Sequence, residues 1–538
     1  MTPIPRYRLL LTLATILCCA FLLRATYDRG LERGLGTAIE WGPFSFQISL
    51  ACAITDSVYR FNLGYVCAAP VYKKLVAVQM AGDETEKVIP RLRDGAIINR
   101  SIKEASELGP LQHGALDTGE LMTPYYNDLG MIDFIKSAFR LYGPAIESLY
   151  KLFFTFLAVS VLAFILAFPG NLLASATIIA VTYGFFAEIN SAMFNEYMPS
   201  VYAMRYPSVL VIIPALHLTL LLAWKKPLTA VNLLLAVPQV LLMVLAIKIR
   251  FSAVWGLVSV LAVVGYQCLV PLIAELRSTR KDWRIAVVDA IARAMRWPAI
   301  LCVGAVALHG AYMRTAIHPI YDSDEVLAEH MTWHSFFQNY AAFDPNAMAL
   351  SGLTGAAARG DDISWMAARL YAQRVRLTND YKALNASITH FGLRVALHDK
   401  LMRRVFFGYI AQHPIRAFRI YALQKPLDVV KRYWSATSAA IPVWTTLTGY
   451  GLSAAFAVCL LFLPWSVAQA RALVFTLAAI GFISALPHIA GAPSIVYFND
   501  LCIVWPAVAY LCLPLFLVQL IAWNRPGMLT RLFRRMER

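Results

Sequence analysis

Apolar and polar residues are sorted along this chain into long blocks. Ten mostly apolar runs stand out: Leu9–Leu23, then 149–168, 171–188, 207–224, 228–247, 252–273, 299–316, 447–466, 471–490 and 501–522. All but the first reach the roughly 17–25 residues that an α-helix needs to cross the hydrocarbon of a bilayer. Each backbone amide inside lipid must be paired within its own segment, so such runs predict helices. Two long polar stretches interrupt them, 24–148 and 317–446. The pattern predicts an all-α polytopic membrane protein with about ten transmembrane helices and two large external loops.

The chain is organised around the junction Tyr125–Phe168. A polar loop, 125–131, leads into an amphipathic stretch, Ile132–Tyr150. This stretch carries Asp133, Lys136, Arg140 and Glu147 among Phe134, Ile135, Phe139, Leu141, Ile146 and Leu149. The next residues, Leu152–Phe168, are unbroken hydrocarbon. An acid-bearing loop thus feeds an interfacial helix that runs into a span. Chemistry between a lipid-anchored substrate and one arriving from water calls for that arrangement.

Basic residues flank the spans and set the orientation. Lys225–Lys226, the segment 274–298 and the tail 523–538, with Arg525, Arg531, Arg534, Arg535 and Arg538, belong in the cytoplasm. Residues 1–23 are read as an uncleaved first span with a cytoplasmic N-terminus. Residues 24–148 then form the first external loop, 149–273 spans two to six, 299–316 span seven, 317–446 the second external loop and 447–522 spans eight to ten. The stretch 44–58 is moderately apolar and is left outside the bilayer. Both loops face the same outer side, and both termini lie in the cytoplasm.

Composition agrees. Of 538 residues, 59% are hydrophobic, with a mean hydropathy of +0.58. A soluble chain of this length would divide into domains with charged surfaces. The net charge of +16 lies largely beside span ends and does not indicate nucleic acid. Most of the nine cysteines sit in apolar runs and read as small buried hydrophobes. Only Cys52 and Cys67 fall in an external loop, where they are either a disulfide or two free thiols.

Candidate chemistry follows from position. Asp28 lies just beyond span one and Asp128 at the mouth of the interfacial helix. An interfacial carboxylate can take a proton from an acceptor hydroxyl or ligate a divalent cation. The structural alternatives are a helix cap at Asp28 and an Asx-turn at Asp128. Glu188 and Glu196 face the same side. Arg140, Arg205 and Arg314 lie where a lipid phosphate would sit, and the arginine fork suits phosphate. His330 and His334 are one helical turn apart, but no Glu stands between them as in a zincin.

The run NDLGMIDFIKSAFRLYGPAIESLYKLFFTFLAVSVLAFILAF, 127–168, resembles the loop-to-span junction of C-type glycosyltransferases of the mannosyltransferase-like group. Phe139, Leu141, Tyr142 and Gly143 carry the likeness. EHMTWHSFF, ARGDDISWMAARLYAQ and YALQKPLDVVKRY further on resemble bacterial membrane proteins of the same layout, which implies a bacterial inner membrane with periplasmic loops. The resemblance implies inverting transfer of a hexose or pentose from a polyprenyl-phosphate donor to a glycan, lipid or protein acceptor. It implies an acid of the first loop as base, Asp28 or Asp128 here, and in some members a divalent cation. No Asp-Glu or Asp-x-Asp pair follows span one. Rival readings are an O-antigen polymerase or ligase, suited by Arg369, Arg374, Arg376, Arg394, His390 and His398 in the second loop; a transporter of lipid-linked or small substrates; and a non-catalytic scaffold.

Overall fold

The structure is a computed structural model. It describes residues 6–32, 48–55, 64–80, 95–107, 121–122, 129–190, 206–278, 287–288, 296–319, 332–353, 362–375, 377, 391–431, 443–462, 465–490 and 499–524. These residues are almost entirely helical. Their one sheet pairs β1, Cys67–Ala68, with β2, Leu121–Met122, in antiparallel register.

In chain order the helices are α1 Arg6–Glu32, α2 at 48–55, α3 Ala69–Met80, α4 Gly95–Ser106, α5 Gly130–Tyr142, α6 Glu147–Ala167, α7 Leu172–Asn190, α8 Ile212–Ala223, α9 Ala230–Ile249, α10 Trp255–Ser278 and α11 Trp297–Ala316. The second polar stretch holds α12 Thr332–Ala341, α13 Asp362–Arg374, α14 Phe391–Gln412, α15 Pro414–Arg419 and α16 at 425–431. The chain continues as α17 Val443–Phe462, α18 Val467–Ala490 and α19 Asn499–Asn524.

Among the described residues, seven helical segments are long and apolar enough to cross a membrane: Arg6–Glu32, Glu147–Ala167, Leu172–Asn190, Ala230–Ile249, Phe251–Val270, Trp297–Ala316 and Val467–Ala490. Shorter apolar helices, Pro207–Ala223, Leu447–Leu460 and Asp500–Phe516, occupy the positions of expected spans four, eight and ten. The outside of this bundle is hydrocarbon. Leu17 is 70% exposed and Phe21, Leu234 and Leu308 are each 73% exposed. A water-soluble surface rarely carries so much contiguous apolar area, whereas lipid solvates it.

Inside the bundle, lipid tails are as apolar as leucine, so close packing and interhelical hydrogen bonds hold helices together. Ser160 Oγ donates to Gln239 Oε1 at 2.6 Å, and Gln239 Nε2 donates back to the Ser160 carbonyl at 2.7 Å. That reciprocal pair clamps α6 to α9 and is worth about 1 kcal/mol. Gly184 lets α7 lie directly against the backbone of Ile503 on α19.

The structure redraws two helix boundaries. The first helix does not end at residue 23: α1 runs on to Glu32. The spacings Arg24–Asp28 and Arg29–Glu32 form ion pairs along its outer turns, and neither Pro nor Gly breaks it before them. The amphipathic stretch 132–150 is not one helix. Gly143, at φ 89°, ends α5, and Pro144 prevents continuation, so α5 and α6 are separate elements. The part of 44–58 described as α2 is wholly buried in the bundle's main core. Cys52 and Cys67 are both buried, and Cys52 Sγ faces the Tyr65 carbonyl at 3.8 Å. Of the basic segment 274–298, only 274–278, 287–288 and 296–298 fall within the described residues.

The second polar stretch folds around a core of its own. Phe337, Tyr340, Ala367, Leu401, Met402 and Phe406 bring α12, α13 and α14 together. It meets the bundle where Val429 of α16 packs on Ala485, Leu501 and Cys502. The backbone of His318, after α11, donates to the Gly64 carbonyl at 3.0 Å, which ties the two polar stretches together at one end of the bundle.

Candidate functional site

Both large polar stretches leave the bundle at the same end, and that end holds its buried charge. Glu188 sits on the last turns of α7 and is 3% exposed. Tyr206, just before the 3-10 turn that opens α8, donates its hydroxyl to Glu188 Oε2 at 3.1 Å. Across from it, Asp500 opens α19, and the Trp255 indole donates to Asp500 Oδ2 at 3.0 Å. The other oxygen, Asp500 Oδ1, is enclosed and has no hydrogen-bond partner among the described residues. Glu188 and Asp500 are close enough for their charges to interact. Arg250, in the two-helix corner between α9 and α10, acts electrostatically on Asp500 and on buried His488.

Sequence accounts for these positions. Asp500 caps the entry to an apolar run with its carboxylate where a helix N-terminus favours negative charge. Arg250 is extended, at φ −153°, between two helices that cannot continue through it. Trp255 and Tyr206 bury their rings and offer one polar atom each, and buried aromatic donors find acceptors. Two carboxylates shut from water, with the half-buried Arg250 guanidinium acting on one of them, form preorganised charge in a medium where charge interactions are strong.

A second polar group lies beside it on the interfacial helix. Lys248 Nζ reaches Asp133 Oδ2 at 2.6 Å and the Tyr65 hydroxyl at 2.7 Å, and that hydroxyl lies 3.2 Å from the same carboxylate oxygen. The ammonium also stands over the Tyr65 ring, 4.2 Å from its centroid. Lys248 interrupts an otherwise apolar helix, and α5 supplies the acid that compensates it. This group ties α5 to α9.

The residues singled out from sequence fall into three groups. Glu188 is part of the buried cluster. Asp28 lies on the outer turns of α1 and is half-exposed, paired with Arg24 Nε at 2.8 Å. Its neighbour Arg29 donates to Asn190 at the end of α7, 3.1 Å away, so Asp28 stands at the same end as Glu188. Arg140 and Arg314 are exposed, each on the last turn of its helix. His334 is elsewhere, buried in the second polar stretch, where its Nδ1 meets His398 Nε2 at 2.8 Å and Trp365 stacks on His398. Asp399 Oδ1 accepts the backbone amides of Trp333 and His334 there. Asp128, Glu196, Arg205 and His330 lie outside the described residues.

Asp500, Arg250, Tyr206, Trp255 and the Asp133–Lys248 pair were not picked out as site residues. The signal was present: Asp500 and Arg250 are charges set tightly against apolar runs, and Lys248 is a charge at the end of one. As to metals, no group of three or more His, Cys, Asp or Glu side chains among the described residues could hold an ion.

No family model, curated protein or solved structure matches this chain.

Proposed function

We propose that this chain is a ten-span glycosyltransferase of the inner membrane that moves a sugar from a polyprenyl-phosphate donor to a glycan, lipid or protein acceptor at the outer face. The observation that carries the reading is the pair of enclosed carboxylates, Glu188 and Asp500, with half-buried Arg250 acting on Asp500, at the end of the bundle where both polar stretches emerge. A lipid-linked donor would approach this group from the bilayer, and an acceptor from the loops.

In this reading one carboxylate takes the proton of the acceptor hydroxyl as that oxygen attacks the anomeric carbon. The bond from that carbon to the donor phosphate breaks, with inversion. Asp500 is the stronger choice as base, because Oδ1 has no donor occupying it while Trp255 fixes Oδ2. Arg250 would offset the charge gathering on the departing phosphate. Glu188, held by Tyr206, would orient the acceptor. Asp28 is the alternative base, open to water but shared with Arg24. No step is routed through a metal.

The test is sugar transfer from a polyprenyl-phosphate donor by purified variants. Asp500→Asn is expected to lower turnover by about 10²–10⁴, the usual contribution of a general base, with expression unchanged. Wild-type turnover in both Asp500→Asn and Glu188→Gln overturns the assignment. Loss in Asp28→Asn alone moves the base to α1. A second reading, a polymerase or ligase, rests on the His334–His398–Asp399 group with stacked Trp365. It takes over if His398→Gln abolishes activity while the bundle carboxylates are dispensable.

A further inference from the structure

The opposite end of the bundle carries a pocket of about 370 Å³, within the roughly 300–1,000 Å³ of small-ligand sites. It opens where α1 begins, where α6 turns into α7 and where α18 begins. Arg8 and Lys226 supply its charge, Asn171 and Gln469 its neutral polar groups, and Tyr7 and Trp465 its aromatic rim. No carboxylate lines it. Neither cation makes an ion pair among the described residues.

The walls are built rather than incidental. Gly170 turns the chain at φ 65°, and Arg8 packs so closely on it that no other side chain would fit. The Gly170 amide donates to Thr12 Oγ1 at 2.8 Å, fixing the turn to α1. The Lys226 carbonyl accepts from the Trp297 indole at 3.0 Å, and its ammonium stands 5.4 Å from the centre of the Phe168 ring. Asn171 Nδ2 donates to Gln469 Oε1 at 3.2 Å. Burial pushes the Lys226 ammonium below its ordinary range, and the nearby Arg8 guanidinium pushes it the same way. The protein thus holds two like charges around one hollow whose described lining has no acid, an arrangement that an anion relieves.

We propose that this pocket binds a phosphate group between Arg8 and Lys226. Two sources share that chemistry, the headgroup of an anionic phospholipid and free phosphate. The setting favours the lipid: Tyr7 and Trp465 stand at the ends of long apolar helices, where aromatic residues mark the interface, and the buried rings and chains of Phe168 and Leu172 form the pocket's inner wall. A headgroup there would join the starts of α1, α7 and α18.

The experiment is native mass spectrometry of the delipidated full chain titrated with phosphatidylglycerol, with phosphatidylcholine as the neutral-headgroup control. Each interfacial cation contributes about fivefold, so Arg8→Gln with Lys226→Gln is expected to weaken phosphatidylglycerol binding on the order of 25-fold. Lys226→Arg retains binding, and keeps the test readable if the double variant does not fold. Lys225→Gln, which removes an equal charge beside the pocket, leaves binding unchanged. Competition by millimolar inorganic phosphate, seen in wild type and absent from the double variant, identifies free phosphate as the source; its failure to compete identifies the lipid. Equal phosphatidylglycerol binding by wild type and the double variant overturns the site. So does an equal loss in Lys225→Gln, which would mean attraction to a basic surface alone.

Discussion

Lys425 stands apart among the buried charges, because no acid pairs with it among the described residues. It follows a π-helical turn, Ile420–Gln424, and is 1% exposed. Its ammonium has no hydrogen-bond partner among the described residues, and the face of Tyr421 lies 4.1 Å away. Burial pushes its pKa down from 10.5 to about 7. Between these values the unfolded chain binds a proton that the folded chain does not, so stability should rise with pH from about 7 to about 10. Below that window Lys425 is protonated in both states and adds no slope. Thermal unfolding at pH 7 and pH 9.5 reads this directly. Lys425→Met is expected to raise the midpoint at pH 7 and to remove the slope; an unchanged slope would mean that other groups produce it. Asp133 and Lys248 behave differently, because each answers the other. Asp133→Asn should destabilise by on the order of 3 kcal/mol, since it strands a buried ammonium. Asp133→Leu with Lys248→Met should cost much less. Chemical denaturation of the single and double variants compares the two.

Elements in this bundle meet through small residues where backbones approach and through large ones where they do not. Gly184 of α7 lies against the Ile503 carbonyl, and a methyl group there has no room. Gly184→Ala is expected to cost about 1–3 kcal/mol through overpacking. Gly304, inside α11, has open space around it. Gly304→Ala should instead be neutral or stabilise by roughly 0.5–1 kcal/mol, because alanine is the better helix former. Thermal midpoints of the two variants, measured side by side, test the packing of α7 on α19; equal midpoints would mean that these helices are not in contact. The same logic explains the break between α5 and α6. Gly143 takes a positive φ that a side chain would resist, and Pro144 lacks the amide that a continuous helix needs. An amphipathic helix can therefore lie at an angle to the span that follows it.

At the scale of the molecule, charge is divided between two ends. One end carries Asp28, Asp133, Glu188, Arg250 and Asp500 and both large polar stretches; the other carries Arg8, Lys226 and the aromatic pocket. Orientation follows from the positive-inside rule. Alkaline phosphatase fused after Pro110 or Tyr381 is expected to be active, and fused after Lys226, Lys281 or Arg525 inactive. Activity at Lys226 would invert the molecule and place the carboxylate cluster in the cytoplasm. Activity at Lys281 with inactivity at Lys226 would change the number of spans between them.

What the sequence determined by itself is the helical architecture. Apolar runs long enough for a bilayer have few other structures open to them, because an unpaired backbone amide in hydrocarbon is costly. The positions of the long apolar helices and the amphipathic pattern of α5 were legible for that reason. Local chemistry also marked Glu188 as a charge near the bilayer edge. The tertiary structure decided which charges meet. Glu188, Arg250 and Asp500 lie far apart in the chain, and their meeting depends on α7 packing on α19 and on the corner between α9 and α10. Lys248 is a charge at the end of an apolar run, and only packing brings Asp133 of α5 to it. His334 stands out in sequence for its spacing from His330, while its ring meets His398 on a helix that spacing along the chain does not reveal. Periodicity is a property of neighbours in sequence, and so it fixes elements; pairing of charges across helices depends on approach and rotation, which only packing sets.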